Sequence, residues 1–439
     1  PGPRYTSYPA APGFSPNFGP EDYRQEIIRT NASDEASDLS LYFHLPFCDT
    51  LCYFCGCTML VTHSRPRIQQ YNEYLKGEIS MIAQLISPRR KAVQLHWGGG
   101  TPSYLSPEEI IDLGMHIKRH FQFEDDIEAG VEIDPRGLSR EHMEAFRSVG
   151  FNRVSMGVQD FDPRVQKAVN RVQSERITRD AVDWSRQLAF KSINIDLIYG
   201  LPFQTVESFE TTVDVIIDIS PDRLAVFNYA HVPWLKPHQK IVDEQALPSP
   251  SLKLQIFKRT TEKLVDAGYC NIGMDHFAKE TDELAVAQRN KTLHRNFQGY
   301  STKARCDLYG FGMSAIGHFR DTYHQNAKVL DQYYAALDRN MPATVLGYRM
   351  TLDDHIRKDV IMGIMCNMEV DKKQIEERYG IEFDEYFENS IRKLKPFEDD
   401  ELVGVYRDRI EVVGLGRVVV RNIAMCFDAY FDQMMKEKP

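Results

Sequence analysis

Short apolar runs alternate with longer helical patterns from residue 39 to about residue 267. The apolar runs are rich in Val, Ile, Leu and aromatic residues, which favour strands. Their bounds predict six strands, over residues 39–47, 93–100, 127–135, 153–161, 192–200 and 223–230. Because strands and helices alternate, we expect six βα units that share a parallel sheet.

Signals at the predicted helix ends support this order. The sequence SPEE at 106–109 combines an N-cap serine, a proline at the first helical position and a glutamate that completes a capping box. Similar helix starts occur at Ser139 and Thr205. Gly150 and Gly268 follow helical patterns at the position where a left-handed C-cap is common. Both kinds of signal predict the same chain direction for the helices.

Six βα units are too few for a closed eight-stranded barrel. We therefore predict an α/β fold built on a partial (β/α)6 barrel of the TIM type, with functional groups at the C-terminal ends of its strands. The cysteines follow strand 1, and GGGTP ends strand 2. The later strands end close to Glu132, Gln159, Asp196 and Ala230. All these positions are expected at one rim.

The segments outside the barrel differ in character. Residues 1–35 include PGPRYTSYPAAPG, whose prolines and glycines predict an irregular arm. The barrel is expected over 36–325, and helical patterns dominate 326–439, where residues 402–423 read as a hairpin followed by a helix. We predict three parts: an N-terminal arm, a catalytic barrel and a mainly helical C-terminal domain.

Composition and charge narrow the class of protein. The 439 residues are 42% hydrophobic and 26% charged, which is ordinary for a globular protein. The net charge of −10 argues against wide nucleic-acid contact. No apolar run approaches the roughly 18 residues of a membrane span, and no export signal opens the chain. We expect a cytoplasmic protein with no membrane span.

Four thiols lie close together in CDTLCYFCGC, at Cys48, Cys52, Cys55 and Cys57. A disulfide knot, a zinc site and an iron-sulfur cluster are the alternatives. Structural zinc usually takes a second, separated ligand pair, which does not follow here. C-x3-C-x2-C supplies three thiolates to an iron-sulfur cube and leaves one iron open. Cys57 is too close to Cys55 to reach that iron easily and is expected not to be a ligand.

The cysteine motif, with an aromatic before its third cysteine, and the following GGGTP resemble the radical S-adenosylmethionine superfamily. Further segments resemble its oxygen-independent coproporphyrinogen III oxidase family. They include GPRYTSYP, CYFCGC, QLHWGGGTP, GFNRVSMGVQDF, NIDLIYGLP, FNYAHVP, GMDHFA, LHRNFQGY and RNIAMCFDAY. These segments span nearly the whole chain.

The resemblance implies a 4Fe-4S cluster on Cys48, Cys52 and Cys55, and two molecules of S-adenosylmethionine. Residues expected at the cluster-bound molecule are Tyr42, Phe54, Gly99, Gly100, Thr101, Glu132 and Ile316. Those expected around the second molecule are Gln159, Arg171, Asp196 and Ala230. Without the resemblance, Tyr42 would be read equally well as a core aromatic and Arg171 as a surface charge. The role of Cys57 stays open.

The implied reaction converts two propionate side chains of coproporphyrinogen III to vinyl groups by means of a 5'-deoxyadenosyl radical. The arm and residues 294–300 are expected to help keep the radical dry. An unidentified electron donor is implied, and a monomer is expected. The alternatives are a haem-binding protein or haem chaperone without decarboxylase activity, and a non-catalytic protein that holds zinc or an electron-carrying cluster.

Overall fold

A computed structural model of the chain describes residues 4–32 and 37–431. The chain divides into two compact units. The larger unit comprises Pro16–Cys270 and Arg305–Gly347, and the smaller comprises Pro1–Ser15, Asn271–Ala304 and Tyr348–Pro439. The domain boundaries expected from the sequence, after residues 35 and 325, stay a prediction.

The strands of the described residues are numbered in chain order. They are β1 (Leu39–Leu45), β2 (Phe47–Cys48), β3 (Leu60–Val61), β4 (Lys91–Gly99), β5 (Gln122–Ile133), β6 (Arg153–Gln159), β7 (Ser192–Tyr199), β8 (Arg223–Asn228), β9 (Tyr269–Gly273), β10 (His276–Lys279), β11 (His294–Asn296), β12 (Gly299–Ser301), β13 (Asp307–Phe311), β14 (Ile316–Phe319), β15 (Thr322–Asn326), β16 (Thr344–Arg349), β17 (Glu369–Asp371), β18 (Val403–Val405) and β19 (Arg409–Val412).

The α-helices of the same residues are numbered likewise. They are α1 (Pro20–Asn31), α2 (Arg65–Ala83), α3 (Pro107–His120), α4 (Arg140–Ser148), α5 (Pro163–Ala168), α6 (Glu175–Gln187), α7 (Val206–Ile219), α8 (Pro250–Asp266), α9 (Glu283–Arg289), α10 (Leu330–Asp338), α11 (Leu352–Met362), α12 (Lys372–Tyr379), α13 (Phe383–Tyr386), α14 (Glu388–Asp399) and α15 (Val420–Met425).

The six predicted strands are β1, β4, β5, β6, β7 and β8, and they pair in parallel in that order. At least one helix follows each of them along the chain. The prediction of a partial (β/α)6 barrel is therefore confirmed. On its other edge β1 pairs in parallel with β13, and the sheet continues through β14, β15 and β16. This extension was not predicted.

Alternation along the strands decides which side chains face the core. In β6, Val154, Met156 and Val158 are buried, whereas the residues between them are only partly buried. The same period of two recurs in β5 and β7. Apolar side chains pack beneath the helices, as Trp97 does edge-to-face against Phe146, with ring centroids 6.2 Å apart. The side chains between these apolar residues point to the opposite face of the sheet.

The predicted helix ends are confirmed. Ser106 caps α3 through its hydroxyl, which accepts from the Glu109 N–H, and the Glu109 carboxylate accepts in return from the Ser106 N–H. Thr205 caps α7 in the same way, and Ser139 stands at the N-cap of α4. Gly150 and Gly268 have φ of +102° and +89°, as the left-handed C-cap requires.

The smaller unit contains helices α11–α15 and a three-stranded sheet in the order β17-β19-β18. The hairpin and helix predicted within 402–423 are confirmed as β18, β19 and α15. The first part of the arm belongs to this unit, where the Tyr5 hydroxyl donates to Asp428 over 2.8 Å. Residues 1–3 and 33–36 lie outside the described residues.

One element of the predicted arm is regular. Pro20–Asn31 forms α1, which begins where the Asp22 carboxylate accepts from the Gly19 N–H. Its Tyr23 and Ile27 side chains are buried. The proline-rich opening therefore hid an amphipathic helix.

In the described ranges no helix is long and apolar enough to cross a bilayer.

Candidate active site

A cavity of about 470 Å³ opens in the larger unit at the C-terminal ends of β4 to β7. Ten of the predicted site residues line it: Cys48, Cys52, Phe54, Cys55, Gly100, Thr101, Glu132, Gln159, Arg171 and Asp196. Cys57 lines it too. The structure thus brings residues from six separate parts of the chain to one rim, where a partial barrel is expected to place functional groups.

Four predicted residues are not part of the cavity wall. Tyr42 and Gly99 lie on β1 and β4, behind the wall. Ala230 is exposed two residues beyond the end of β8. Ile316 begins β14. In the sheet, β14 lies beyond β13 on one side of β1, whereas the strands that line the cavity, β4 to β7, lie on the other side. Their expected roles stay predictions.

The segment that carries the cysteines, residues 48–61, is closed by a short parallel pairing of β2 with β3. Inside it, the Cys55 N–H donates to the Cys52 carbonyl in a tight turn, at 3.1 Å. The Tyr53 N–H donates to the carbonyl of Val169, and the Asn170 side chain donates to that of Leu51. One main-chain and one side-chain hydrogen bond thus hold the cysteine loop against the residues that follow α5.

A second segment, not anticipated from the sequence, supports the same loop. Lys236, His238 and Gln239 donate to the carbonyls of Cys57, Cys55 and Phe54 over 2.9, 2.8 and 3.0 Å. They lie in the loop after β8, about 180 positions further along the chain. Only the expectation that loops meet at one rim could have suggested this contact.

The thiols differ in their surroundings. Burial raises the pKa of the Cys48 thiol to about 12, although its sulfur lies 3.2 Å from the Thr101 hydroxyl. A hydrogen bond from Cys57 lowers the pKa of Cys55 to about 6, and the pKa of Cys57 rises because of the same bond. Cys55 and Cys57 are thus hydrogen-bonded neighbours, and the expectation that Cys57 is not a ligand stays a prediction.

Cys52 lies against a buried group of charges. Arg136 Nη2 is 3.4 Å and Arg171 Nη1 3.6 Å from its sulfur, and both guanidinium groups also donate to Asp134. Burial acts to raise the pKa of Asp134, but the two arginines hold it below its usual range. Arg171 is only 7% exposed, so its reading as a surface charge is wrong.

Asp134 and Arg136 were missed by sequence reasoning. The motif IDPRG places them directly after β5, where an acid and an arginine two residues apart read as an ordinary turn. Arg136 indeed donates its own N–H to the Asp134 carboxylate, as such turns do. Their contact with Cys52 depends on a cysteine more than 80 positions away and has no sequence signal.

Glu132 presents its carboxylate to the cavity with 45% of the side chain exposed. It accepts from His96 Nε2 and from the Gly99 N–H, both at 3.2 Å. Burial acts to raise the pKa of Glu132, but the bonds from His96 and Gly99 bring it below its usual range. Tyr42 stacks on His96 with 16° between the rings, so it supports Glu132 from behind.

The main-chain N–H groups of the glycine-rich turn all have acceptors within the protein. The N–H groups of Gly99, Gly100 and Thr101 already donate to Glu132, to the Leu45 carbonyl and to the Phe47 carbonyl. These main-chain donors thus fasten the end of β4 to Glu132, β1 and β2. A Cβ at Gly100 would come within 2.5 Å of the Pro46 carbonyl, so glycine is required there by the protein itself.

Two buried polar atoms in the wall have no partner among the described residues. They are Gln159 Oε1 and Arg171 Nε, an acceptor and a donor. Such atoms are unfavourable unless something polar binds to them. With the carboxylates of Glu132 and Asp196 in the same wall, the cavity fits a polar ligand that carries both donors and acceptors. Ammonium and ribose hydroxyl groups supply such donors, and ribose and carboxylate oxygens supply such acceptors.

The formal charge of the wall is negative. Its cations are Arg136 and Arg171, whereas Asp49, Glu132, Asp134 and Asp196 are acidic. A cationic ligand is favoured over an anionic one in such surroundings. Across the part of the chain that the structure describes, no three His, Cys, Asp or Glu side chains stand together as ligands of a single ion.

Comparisons with known proteins agree with this site. The model of the radical SAM superfamily matches residues 42–216, and that of the HemN C-terminal domain matches residues 350–419. The chain is 46% identical over 432 residues to the oxygen-independent coproporphyrinogen III oxidase of Escherichia coli strain K12, covering 98% of the chain and 93% of that protein.

Another relative and a solved structure extend this likeness. The enzyme of the same name from Synechocystis is 43% identical over 440 residues, with 99% of the chain and 94% of that protein covered. The solved coproporphyrinogen III oxidase (HemN) of Escherichia coli, described as a radical SAM enzyme, superposes with a TM-score of 0.94 at 46% identity and covers 98% of both chains.

Proposed function

The chain belongs to the oxygen-independent coproporphyrinogen III oxidases, and we propose that the cavity of its larger unit is where the radical reaction of this family starts. The enzyme is a radical S-adenosylmethionine oxidoreductase of haem biosynthesis with a 4Fe-4S cluster. It converts two propionate side chains of coproporphyrinogen III to vinyl groups with loss of CO2 and gives protoporphyrinogen IX.

When bound, the reduced cluster and S-adenosylmethionine together supply a 5'-deoxyadenosyl radical that takes a hydrogen atom from a propionate. Cys48, Cys52 and Cys55 would hold the cluster. The observation that carries this assignment is that all three line one cavity with two unpartnered polar atoms, at Gln159 and Arg171. Thiols and ligand-binding groups thus share one space.

The residues of the wall divide between holding and supporting the cofactor. The Glu132 carboxylate, whose pKa is held below its usual range by the bonds from His96 and Gly99, suits the ammonium or ribose groups of S-adenosylmethionine. Phe54 and Thr101 border the same space. Tyr42 and Gly99 would act through Glu132, because one stacks on His96 and the other donates its N–H to the carboxylate. The net negative wall favours a sulfonium cation.

A second molecule of S-adenosylmethionine is part of the proposal. Gln159, Arg171 and Asp196 lie together on the β6 and β7 side of the cavity, and the first two offer the unpartnered atoms. Ala230 and Ile316 are proposed to complete the two sites. The cavity wall contains few cations, so the propionates of the substrate are expected to find their arginines elsewhere.

The remaining partners follow from the chemistry. A one-electron donor must reduce the cluster, and we propose that the enzyme acts as a monomer in the cytoplasm. We also propose that the arm and residues 294–300 help to keep water away from the radical. The support for this is chemical, because a reactive intermediate must be protected from side reactions. Residues 4–15 of the arm and residues 294–300 belong to the smaller unit, whereas residues 16–32 of the arm belong to the larger one.

The test is an anaerobic assay of the reconstituted protein with coproporphyrinogen III, S-adenosylmethionine and a reductant. We expect CO2 and a divinyl product from the native chain. We expect none from Cys48→Ser, Cys52→Ser or Cys55→Ser, because each removes a cluster ligand. Cys270→Ser, which changes a thiol outside the cavity, is the matched control and should keep its activity.

Normal turnover by any of the three cavity variants would contradict the proposal. Haem binding by the native chain without CO2 release would instead favour the haem-chaperone alternative. Iron content and the change in the cluster spectrum when S-adenosylmethionine is added distinguish a failure of cluster assembly from a failure of the reaction.

A further inference from the structure

The three cluster cysteines receive different kinds of side-chain hydrogen bond. Cys52 is approached by two guanidinium groups, with Arg136 Nη2 at 3.4 Å and Arg171 Nη1 at 3.6 Å. Cys48 meets the uncharged hydroxyl of Thr101, and Cys55 meets the thiol of Cys57. Of these three sulfurs, Cys52 is therefore the one that two guanidinium groups contact directly.

The two arginines are fixed in place by one carboxylate. Asp134 accepts from Arg136 Nη2 at 2.7 Å and from Arg136 Nε at 3.1 Å, and it accepts from Arg171 Nη1 at 2.9 Å. Arg171 Nη2 also donates to the Gly157 carbonyl over 2.6 Å. The Asp134 N–H is itself bound to the Ser103 hydroxyl at 3.1 Å. Neither guanidinium is free to swing away from the sulfur.

The charges of this group do not cancel by themselves. Two guanidinium groups and one carboxylate leave one positive charge in excess. Asp134, Arg171 and Cys52 are all more than 90% buried, and the Arg136 side chain is 21% exposed. A sulfur that binds iron carries negative charge, so this group places net positive charge beside the sulfur of Cys52.

Hydrogen bonds and positive charge at a cluster sulfur draw electron density away from the metal and favour the reduced state. We infer that Arg136, clamped by Asp134 and assisted by Arg171, sets the reduction potential of the cluster through Cys52. This inference rests on the proposed function, because it needs the cluster. Arg136 is a positioning residue in this role, since it acts on the metal through another side chain.

Arg136 is the residue to test, because Arg171 also offers an unpartnered Nε to the cavity and is proposed to touch the cofactor. The experiment is an anaerobic redox titration of the reconstituted cluster, followed by electron paramagnetic resonance, without substrate. We expect Arg136→Met to make one-electron reduction about tenfold less favourable, which is a shift of about 59 mV to lower potential. Arg136→Lys keeps a positive charge, so its reduction potential should lie between that of the native chain and that of Arg136→Met.

Arg164→Met is the matched control, because Arg164 lies on α5 over the ring of Phe203 and outside the cavity. Iron and sulfide contents are measured for every variant. A native potential in Arg136→Met with a full cluster would overturn the inference. Loss of the cluster in both Arg136 variants would also overturn it, since Arg136 would then serve assembly. If the native chain itself bound no cluster, the proposed function would fail and not this inference alone.

Discussion

The four thiols of residues 48–57 show how much neighbours decide at the scale of single residues. Cys48, Cys52 and Cys55 have the same side chain within eight positions. They face a hydroxyl, two guanidinium groups and a thiol respectively. Because a sulfur's electron density follows such contacts, three equal ligands are expected to bind iron unequally.

Another residue with unusual surroundings is His324, which is buried in β15 with both ring nitrogens unpartnered among the described residues. Burial lowers its pKa to about 3 from an ordinary value of 6.5. The unfolded chain therefore takes up a proton near pH 6.5 that the folded chain does not. The free energy of unfolding therefore decreases as the pH falls from about 6.5 towards about 3, because protons bind to the unfolded chain but not to the folded one.

The prediction concerns His324→Leu. Between pH 7 and pH 4.5 the free energy of unfolding of the native chain should fall by about 2–3 kcal/mol more than that of the variant. Urea unfolding at a series of pH values measures the two slopes. A constant difference caused by altered packing does not affect the comparison. His63→Gln, at an exposed position, is the control and should retain the native slope. Equal slopes for His324→Leu and the native chain would contradict the prediction.

At the scale of elements, loops support one another across the rim. The loop after β8 contributes the 3-10 turn Pro237–Ile241, whose Gln239 side chain bridges two loops. Its Oε1 accepts from the Val232 N–H at 2.6 Å, and its Nε2 donates to the Phe54 carbonyl at 3.0 Å. Only 1% of this residue is exposed. The cysteine loop is therefore held from outside as well as by its own turn.

We expect Gln239→Ala to lose the cluster about tenfold faster than the native chain when a chelator is added, because two buried hydrogen bonds of roughly 1 kcal/mol each are removed. The decay of the cluster's visible absorption measures the rate. The control is Gln245→Ala, since Gln245 is exposed in the same loop. Equal rates in Gln239→Ala and the control would show that the cysteine loop does not depend on this bridge.

At the scale of the whole molecule, the sheet continues past the six predicted strands, and a buried ion pair helps to hold the extension. Arg90, just before β4, pairs with Asp307 at the start of β13, with side-chain exposures of 2% and 5%. Arg90 Nε donates to the Ser37 carbonyl, and Nη1 donates to the Tyr309 hydroxyl. One guanidinium thus connects three segments on the β1 side of the sheet.

Arg90→Met should lower the free energy of unfolding by about 3–5 kcal/mol, because it leaves the Asp307 carboxylate buried without its partner. The neighbouring Lys91→Met breaks an exposed ion pair with Glu124 and should lower it by about 1 kcal/mol or less. Denaturant unfolding of both variants gives the comparison. Similar losses of unfolding free energy in the two variants would contradict the prediction, because the buried ion pair would then contribute no more to stability than the exposed one.

How far the sequence could predict each element depends on the length and regularity of its pattern. The six barrel strands alternate clearly or stay apolar over six or more residues, and their predicted bounds lie within two residues of the observed ones except at the start of β5, which begins five residues earlier than predicted. β14 and β15 are four and five residues long, and their buried polar residues, such as His324 and Gln325, conceal them. α1 was hidden by the prolines and glycines before it.

By itself the sequence determined the α/β class, the six parallel strands, the rim at which function is located and the family, because these depend on periodicity and on short motifs. Tertiary structure alone decided that Arg136 and Arg171 meet Cys52, that Gln239 supports the cysteine loop and that Arg90 neutralises Asp307. Each of these contacts joins residues tens to hundreds of positions apart, and burial gives it strength. A local sequence pattern contains no information about which distant residues will meet, or about how deeply their contact will be buried.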